Sequence, residues 1–114
     1  MIDLLKTSVT GIEFDSPLVL ASGYITETPD FFLRSIRHGC AAMVTRSLKK
    51  TPRGEVTTPR YYVPNGASFM LNAEWGNEHP WTRWRDTWAV EVSNTGLPLI
   101  VSCPVATWRN VLSW

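Results

Sequence analysis

Leu18-Val19-Leu20-Ala21-Ser22-Gly23 is the stretch on which the fold turns. Its first four residues are apolar without alternation, the pattern of a strand buried on both faces of a parallel sheet, and Ser22-Gly23 ends it. Working forward, Thr28-Pro29-Asp30 opens a helix, with threonine as N-cap, proline at the first helical position and Asp30 facing the positive end of the dipole. Phe32, Leu33 and Ile36 supply its buried stripe, Arg37 and His38 occupy the last turn, and Gly39 suits the left-handed position that closes it. Ala41-Ala42-Met43-Val44-Thr45 then repeats the apolar run as a second buried strand. Working backward, Ser8-Val9-Thr10 and Ile12-Glu13-Phe14 alternate around Gly11 as a hairpin, and Asp15-Ser16-Pro17 separates that hairpin from the first buried strand.

Past the second strand the pattern changes. Residues 46–79 carry Pro52, Gly54, Pro59, Pro64 and Gly66 without a helical period, and a loop that long inside a compact domain is typically a lid or a binding loop. A second helix begins near Pro80, its buried face marked by Trp81, Trp84, Trp88 and Val92 at spacings of three and four, and Gly96 closes it. Leu99-Ile100-Val101-Ser102 is a third buried strand, and Thr107 reads as the N-cap of a third helix through Val111 and Leu112 to Trp114. The expected fold is α/β: a hairpin, then two strand-helix-strand units whose strands form a three-stranded parallel sheet. Residues 1–114 read as a single partial domain, because the last helix lacks a closing signal and the outer strands keep open hydrogen-bonding edges. A second copy in a homo-oligomer, or the remainder of a barrel, is the expected cover.

Composition narrows the function classes. The chain has 114 residues, 44% hydrophobic and 18% charged, which is globular rather than disordered composition. A formal net charge of +1 with interspersed signs gives no basic stripe, so nucleic acid is not an expected partner. The longest apolar runs fall far short of the roughly 20 residues needed to span a bilayer, and the amino terminus lacks a signal-type apolar region, so a cytoplasmic protein away from membranes is expected. Cys40 and Cys103 form no CxxC pair and have no histidine at ligand spacing, so no metal site is expected, and both thiols read as reduced and mostly buried.

In a parallel α/β fold the functional groups sit at the carboxyl ends of the strands. Three short polar segments emerge there: Ala21-Ser22-Gly23, Thr45-Arg46-Ser47 and Ser102-Cys103-Pro104. Each pairs a small residue, which lets backbone approach a flat ligand, with hydroxyls or a cation able to hydrogen-bond it.

These segments carry a resemblance. Ser16-Pro17 followed by Leu18 to Gly23 resembles the N-P-x-x-x-A-S-G segment of class-1 dihydroorotate dehydrogenases, and Val44-Thr45-Arg46-Ser47 resembles their V-T-K-S. Thr58-Pro59-Arg60 is similar to the P-R element before the substrate loop, and Met70-Leu71-Asn72 to its M-L-N. Ala73-Glu74 after Asn72 is closer to the N-x-E segment of dihydropyrimidine dehydrogenase. The resemblance implies the N-terminal part of a (β/α)8 barrel that binds FMN, with Ala21, Ser22, Gly23, Arg46 and Ser47 contacting the cofactor. It implies that Arg46, Asn72 and Glu74 meet a small-molecule pyrimidine, and that hydride passes between the flavin and C6 while a proton is exchanged at C5. The catalytic acid/base of the family is expected beyond Trp114, as is the phosphate site, so this chain alone is expected to lack them. Two departures matter. Arg46 stands where the family has lysine, a planar permanent cation in place of a compact ammonium. Glu74 would repel the carboxylate of orotate, which tilts the expectation toward a neutral pyrimidine.

Each feature also has a plainer reading. Without the resemblance, Arg46 is an ion-pair arginine and Glu74 a solvated loop charge. The tryptophan stripe belongs to packing rather than base stacking, and Cys103 to a small buried hydrophobe. The alternative functions are a barrel piece with no catalysis of its own, serving assembly, and a flavin barrel acting on a different substrate.

Overall fold

The computed structural model describes residues 3–50, 59–73 and 76–104. A short 3-10 turn at Asp3–Leu5 leads into strands β1 (Thr7–Val9) and β2 (Ile12–Phe14), which pair antiparallel with Val9 opposite Ile12. Two residues are left to turn the chain, Thr10 at φ 52° and Gly11 at φ 82°. Two successive left-handed residues make the tight turn whose twist matches its strands, so the hairpin is built as Gly11 implies.

Strand β3 (Val19–Leu20), strand β4 (Ala42–Val44) and strand β7 (Leu99–Ile100) form the parallel sheet in the order β3-β4-β7. The register places Leu20 beside Met43 and Met43 beside Leu99. That row faces the helices: Met43 is buried with Phe32, Leu48, Trp84 and Val92, and Leu20, Leu33, Ile36 and Leu99 pack around them. The side chains between point to the other face. There Phe14 of the hairpin packs on Ala41 and Ala42, covering the amino end of the central strand.

Only the central strand meets the expectation of burial on both faces. Val19 is 41% exposed and Ile100 is 37% exposed, whereas Ala42 and Met43 are fully buried. The reason is geometric: the hairpin reaches one end of the second face, and among the described residues Val19 and Ile100 stay part-exposed there.

Helix α1 (Asp30–Ser35) runs into a 3-10 turn at Ile36–His38 and stops at Gly39, which takes φ 92° as its closing role requires. Its start differs from the sequence reading. Pro29 has helical angles and its carbonyl accepts the Leu33 N–H, but the Thr28 hydroxyl donates to the Asp30 carboxylate at 3.0 Å instead of accepting a backbone amide. The second helical segment starts where Pro80 predicts. It comprises α2 (Trp81–Arg83), a π-helical turn (Trp84–Trp88) and α3 (Ala89–Ser93). Trp84 and Val92 are buried, while Trp81 and Trp88 are half-buried, so the stripe is packing, as assigned. Edge-on contact of Trp84 with Trp88, and the guanidiniums of Arg83 over Trp88 and Arg85 over Trp81, finish that face.

The long segment 46–79 is not structureless. Strands β5 (Tyr61–Tyr62) and β6 (Leu71–Asn72) pair antiparallel as a small ribbon with Tyr61 opposite Asn72. Two residue pairs give too short an alternation to register as a strand pattern among prolines, which is why the sequence hides it. Residues 51–58, Glu74, Trp75 and the expected third helix from Thr107 lie outside the described residues.

Trp84 is the largest side chain in the core. Trp84→Ala is expected to cost about 3–5 kcal/mol, the usual range for emptying a buried aromatic site. Trp81→Ala, at a half-buried position, should cost distinctly less. Urea unfolding followed by circular dichroism measures both.

Candidate functional site

Parallel pairing brings all three strand ends to one side of the sheet. The second and third tips are joined by three hydrogen bonds: the Ser102 N–H donates to the Thr45 hydroxyl at 3.0 Å, the Leu48 N–H donates to the Ser102 carbonyl at 2.8 Å, and the Ser47 and Ser102 hydroxyls share a bond of 3.0 Å. The first tip joins the second through the turn that follows it. Tyr24–Thr26 is a 3-10 turn, stapled by the Gly23 N–H donating to the Thr26 hydroxyl, and the Thr26 carbonyl accepts the Arg46 N–H at 3.3 Å.

The sequence-predicted residues are placed unequally. Ala21 and Ser22 are exposed and Gly23 half-buried, and a side chain added at Gly23 would meet nothing within 4 Å, so the first tip borders open space. Ser47 is half-buried. Arg46 is only 4% exposed and its Nη1 donates to Glu27 Oε2 at 2.8 Å. Asn72 is exposed on the ribbon, and Glu74 lies outside the described residues.

Around Arg46 the structure assembles groups that sequence reasoning missed. Glu27 Oε1 accepts the N–H groups of Glu78 at 2.8 Å and His79 at 3.3 Å, while its Oε2 holds Arg46. Glu78 Oε1 lies 3.8 Å from Arg46 Nη1 and accepts Arg60 Nη1 at 2.6 Å. The Tyr24 ring is shared by both cations, with the Arg60 guanidinium 5.0 Å and the Arg46 guanidinium 5.7 Å from its centroid. Among the described residues each of the two cations is thus paired with a carboxylate, and such pairing is what permits charges to leave water together. Nothing in the chain order announces it, since Glu27 and Glu78 are fifty-one residues apart. The one available hint was a carboxylate at the end of the turn that follows the Ser22-Gly23 tip.

Arg60 also links the ribbon to the tips, because its carbonyl accepts the Ala73 N–H at 2.8 Å beside Asn72 while its side chain reaches Glu78. The end of the long segment is fitted tightly against the second tip. Asn77 donates its N–H to the Ser47 carbonyl at 2.9 Å, and Gly76, at φ 104°, sits where a side-chain carbon would come within 2.9 Å of that same oxygen. Only glycine satisfies both constraints. Asn77 is buried, its Oδ1 accepts the His79 N–H at 2.7 Å, and its Nδ2 is a buried donor with no partner among the described residues.

Cys103 departs from expectation. It is exposed rather than buried, at the mouth of an apolar cavity of about 170 Å³ lined by Leu48, Trp81, Trp84, Leu99 and Val101. Desolvation against that lining pushes its thiol above the ordinary value, the opposite of an activated nucleophile. Cys40 is half-buried and its thiol donates to the Ala42 carbonyl. Among the described residues no group of three metal-binding side chains comes together, and no helix is long and apolar enough to cross a membrane.

Arg46→Leu strands Glu27 in a buried place and is expected to cost about 3–5 kcal/mol in urea unfolding, the usual penalty for breaking a buried pair from one side. Arg85→Ala, which removes an exposed pair with Asp86 and one cation–π contact over Trp81, should lower the midpoint far less than Arg46→Leu. Alkylation of Cys103 by iodoacetamide, followed by mass spectrometry, should be slower at neutral pH than that of an unhindered thiol. It should keep accelerating above the ordinary thiol range, because the thiolate forms later.

No family model matches the chain. Individual proteins do. The chain is 31% identical over 99 residues to the protein named dihydroorotate dehydrogenase B (NAD(+)), catalytic subunit, of Pyrococcus furiosus, a match covering 86% of this chain and 31% of the relative. The same-named protein of Thermococcus kodakarensis matches with the same identity and coverage. That of Pyrococcus horikoshii is 38% identical over 56 residues, 49% of this chain and 18% of the relative. The chain therefore spans less than a third of the length of these relatives, which bear the dihydroorotate dehydrogenase name that the strand-tip motifs resemble.

Proposed function

We propose that this chain supplies the first strands of a flavin-dependent (β/α)8 barrel of the dihydroorotate dehydrogenase type, acting on the C5–C6 bond of a dihydropyrimidine. The observation that carries the reading is the convergence of three strand ends on one side of the sheet around Arg46 and the Ser47–Ser102 hydroxyl pair. The relatives' name supports the reaction class.

The donor set fits the group. A flavin ring and a pyrimidine both present carbonyl oxygens along one edge, and such an edge needs donors set in a partly dry place. The buried, unpartnered Asn77 Nδ2 and the serine hydroxyls at the tips are donors of that kind. Ala21, Ser22, Gly23, Arg46 and Ser47 would hold FMN at its ring, with the open space beside Gly23 leaving room for a flat ligand. Bound FMN supplies acceptance of the hydride from C6. Arg46, permanently charged, favours negative charge gathering on the ring beside it. Asn72, carried on the ribbon, would hydrogen-bond the pyrimidine, and the part given to Glu74 rests on its sequence position alone.

The complete barrel that carries this chain is expected to quench FMN fluorescence saturably and to bleach bound flavin with dihydroorotate, dihydrouracil or dihydrothymine, assayed side by side. Ser47→Ala, which removes the hydroxyl donor and adds no bulk, should weaken FMN binding about tenfold, equivalent to one hydrogen bond of about 1.4 kcal/mol. Unquenched FMN with the intact protein would refute the reading. Bleaching by dihydrouracil but not dihydroorotate would select the neutral pyrimidine.

A further inference from the structure

We infer that Glu27 is the positioning residue of the strand-tip site, one carboxylate oxygen orienting Arg46 and the other anchoring the end of the segment that carries Asn72. The inference deepens the proposed function and rests on it for the role of Arg46. Each oxygen has its own task. Oε2 accepts Arg46 Nη1 at 2.8 Å, and Oε1 accepts the backbone N–H groups of Glu78 and His79 at 2.8 and 3.3 Å. Glu27 is itself buried, so water does not substitute for it on either side. From Glu78 the connection continues to Arg60, whose carbonyl is bonded to Ala73 beside Asn72. From His79 it continues into the helix, since the imidazole packs edge-on against Trp88 at 5.1 Å. A single carboxylate thereby sets the spacing between the strand-tip cation and the ribbon.

The arrangement makes a chemical demand that glutamine cannot meet. Both faces of the group at position 27 meet donors, a guanidinium on one side and two amides on the other. A carboxylate accepts on both sides, whereas a carboxamide has one acceptor and one donor end. Glu27→Gln must therefore leave either Arg46 or the Glu78–His79 amides facing an N–H₂ group. A shorter aspartate keeps both acceptors but loses a methylene of reach. The pairing also bears on the arginine at position 46: a guanidinium has five N–H donors in a fixed fork, so it can give one to Glu27 and keep others for a second partner.

The test uses Glu27→Gln, Arg46→Met, the double variant, and Val92→Ala as a core control outside the site. In the flavin-free protein, Glu27→Gln should lower the urea midpoint, and the double variant should unfold no earlier than Glu27→Gln alone, because it removes the stranded cation. Hydrogen exchange at the amides of Glu78 and His79 should accelerate in Glu27→Gln and not in Val92→Ala. With FMN bound, loss of a nearby cation disfavours the reduced, more negative ring, so Arg46→Met should lower the flavin midpoint potential. If Glu27 acts by holding Arg46, Glu27→Gln shifts the potential the same way, and the double variant shifts it no further. A rise in Glu27→Gln would mean that Glu27 acts only as a charge, and that outcome overturns the inference, as does strict additivity in urea or unchanged exchange. Should the parent protein fail to bind FMN, the functional reading falls by itself, and the urea and exchange results decide whether Glu27 anchors both partners.

Discussion

A guanidinium withdrawn from water at the end of the central strand is the constraint around which the rest of the structure is arranged. Arg46 lies just past Thr45 at the end of Ala42–Val44, the strand that the hairpin covers on one side and the helices on the other, so its backbone is fixed before its side chain is considered. A cation held there requires a counter-charge, because the cost of desolvating it is several kcal/mol and attraction in a low-dielectric place recovers that only with good geometry. Glu27 meets the requirement, and in doing so draws the turn after the first strand and the end of the long segment to one point. Glu78 and Arg60 extend the same logic outward as a second pair.

Rigid and loose parts divide along that line. The helices, the sheet row of Leu20, Met43 and Leu99, and the Trp84 side chain form a packed layer. The ribbon that carries Asn72 has no such layer: Tyr61, Tyr62, Phe69, Met70 and Leu71 are all about half exposed. Arg60 ties it to the packed layer through its side chain, which reaches Glu78 and lies over Tyr24. A site assembled from a rigid floor and a tethered ribbon suits the binding of flat ligands, one resting on the floor and another met by the ribbon. The second face of the sheet is apolar and part-exposed at Val19 and Ile100 among the described residues.

What the amino-acid order determined by itself was local. Continuous apolar runs at Leu18–Ala21, Ala41–Val44 and Leu99–Val101 produce the strands, Pro29 and Gly39 bound the first helix, Pro80 starts the second, and Gly11 turns the hairpin, because each depends on a few neighbouring residues and on backbone sterics. The three polar tips were equally readable, since the end of a parallel strand is where function collects. Only the tertiary structure decided which charges are paired. Glu27 and Glu78 look like ordinary loop residues in a linear reading and Arg60 stands out only through its P-R element, and they become a cluster only when parallel pairing and the return of the long segment bring them together around Arg46. The same holds for the exposure of Val19 and Val101 and for the two-rung ribbon at Tyr61 and Asn72: burial and strand pairing are properties of what lies across the fold, and no stretch of sequence contains its own neighbours in space.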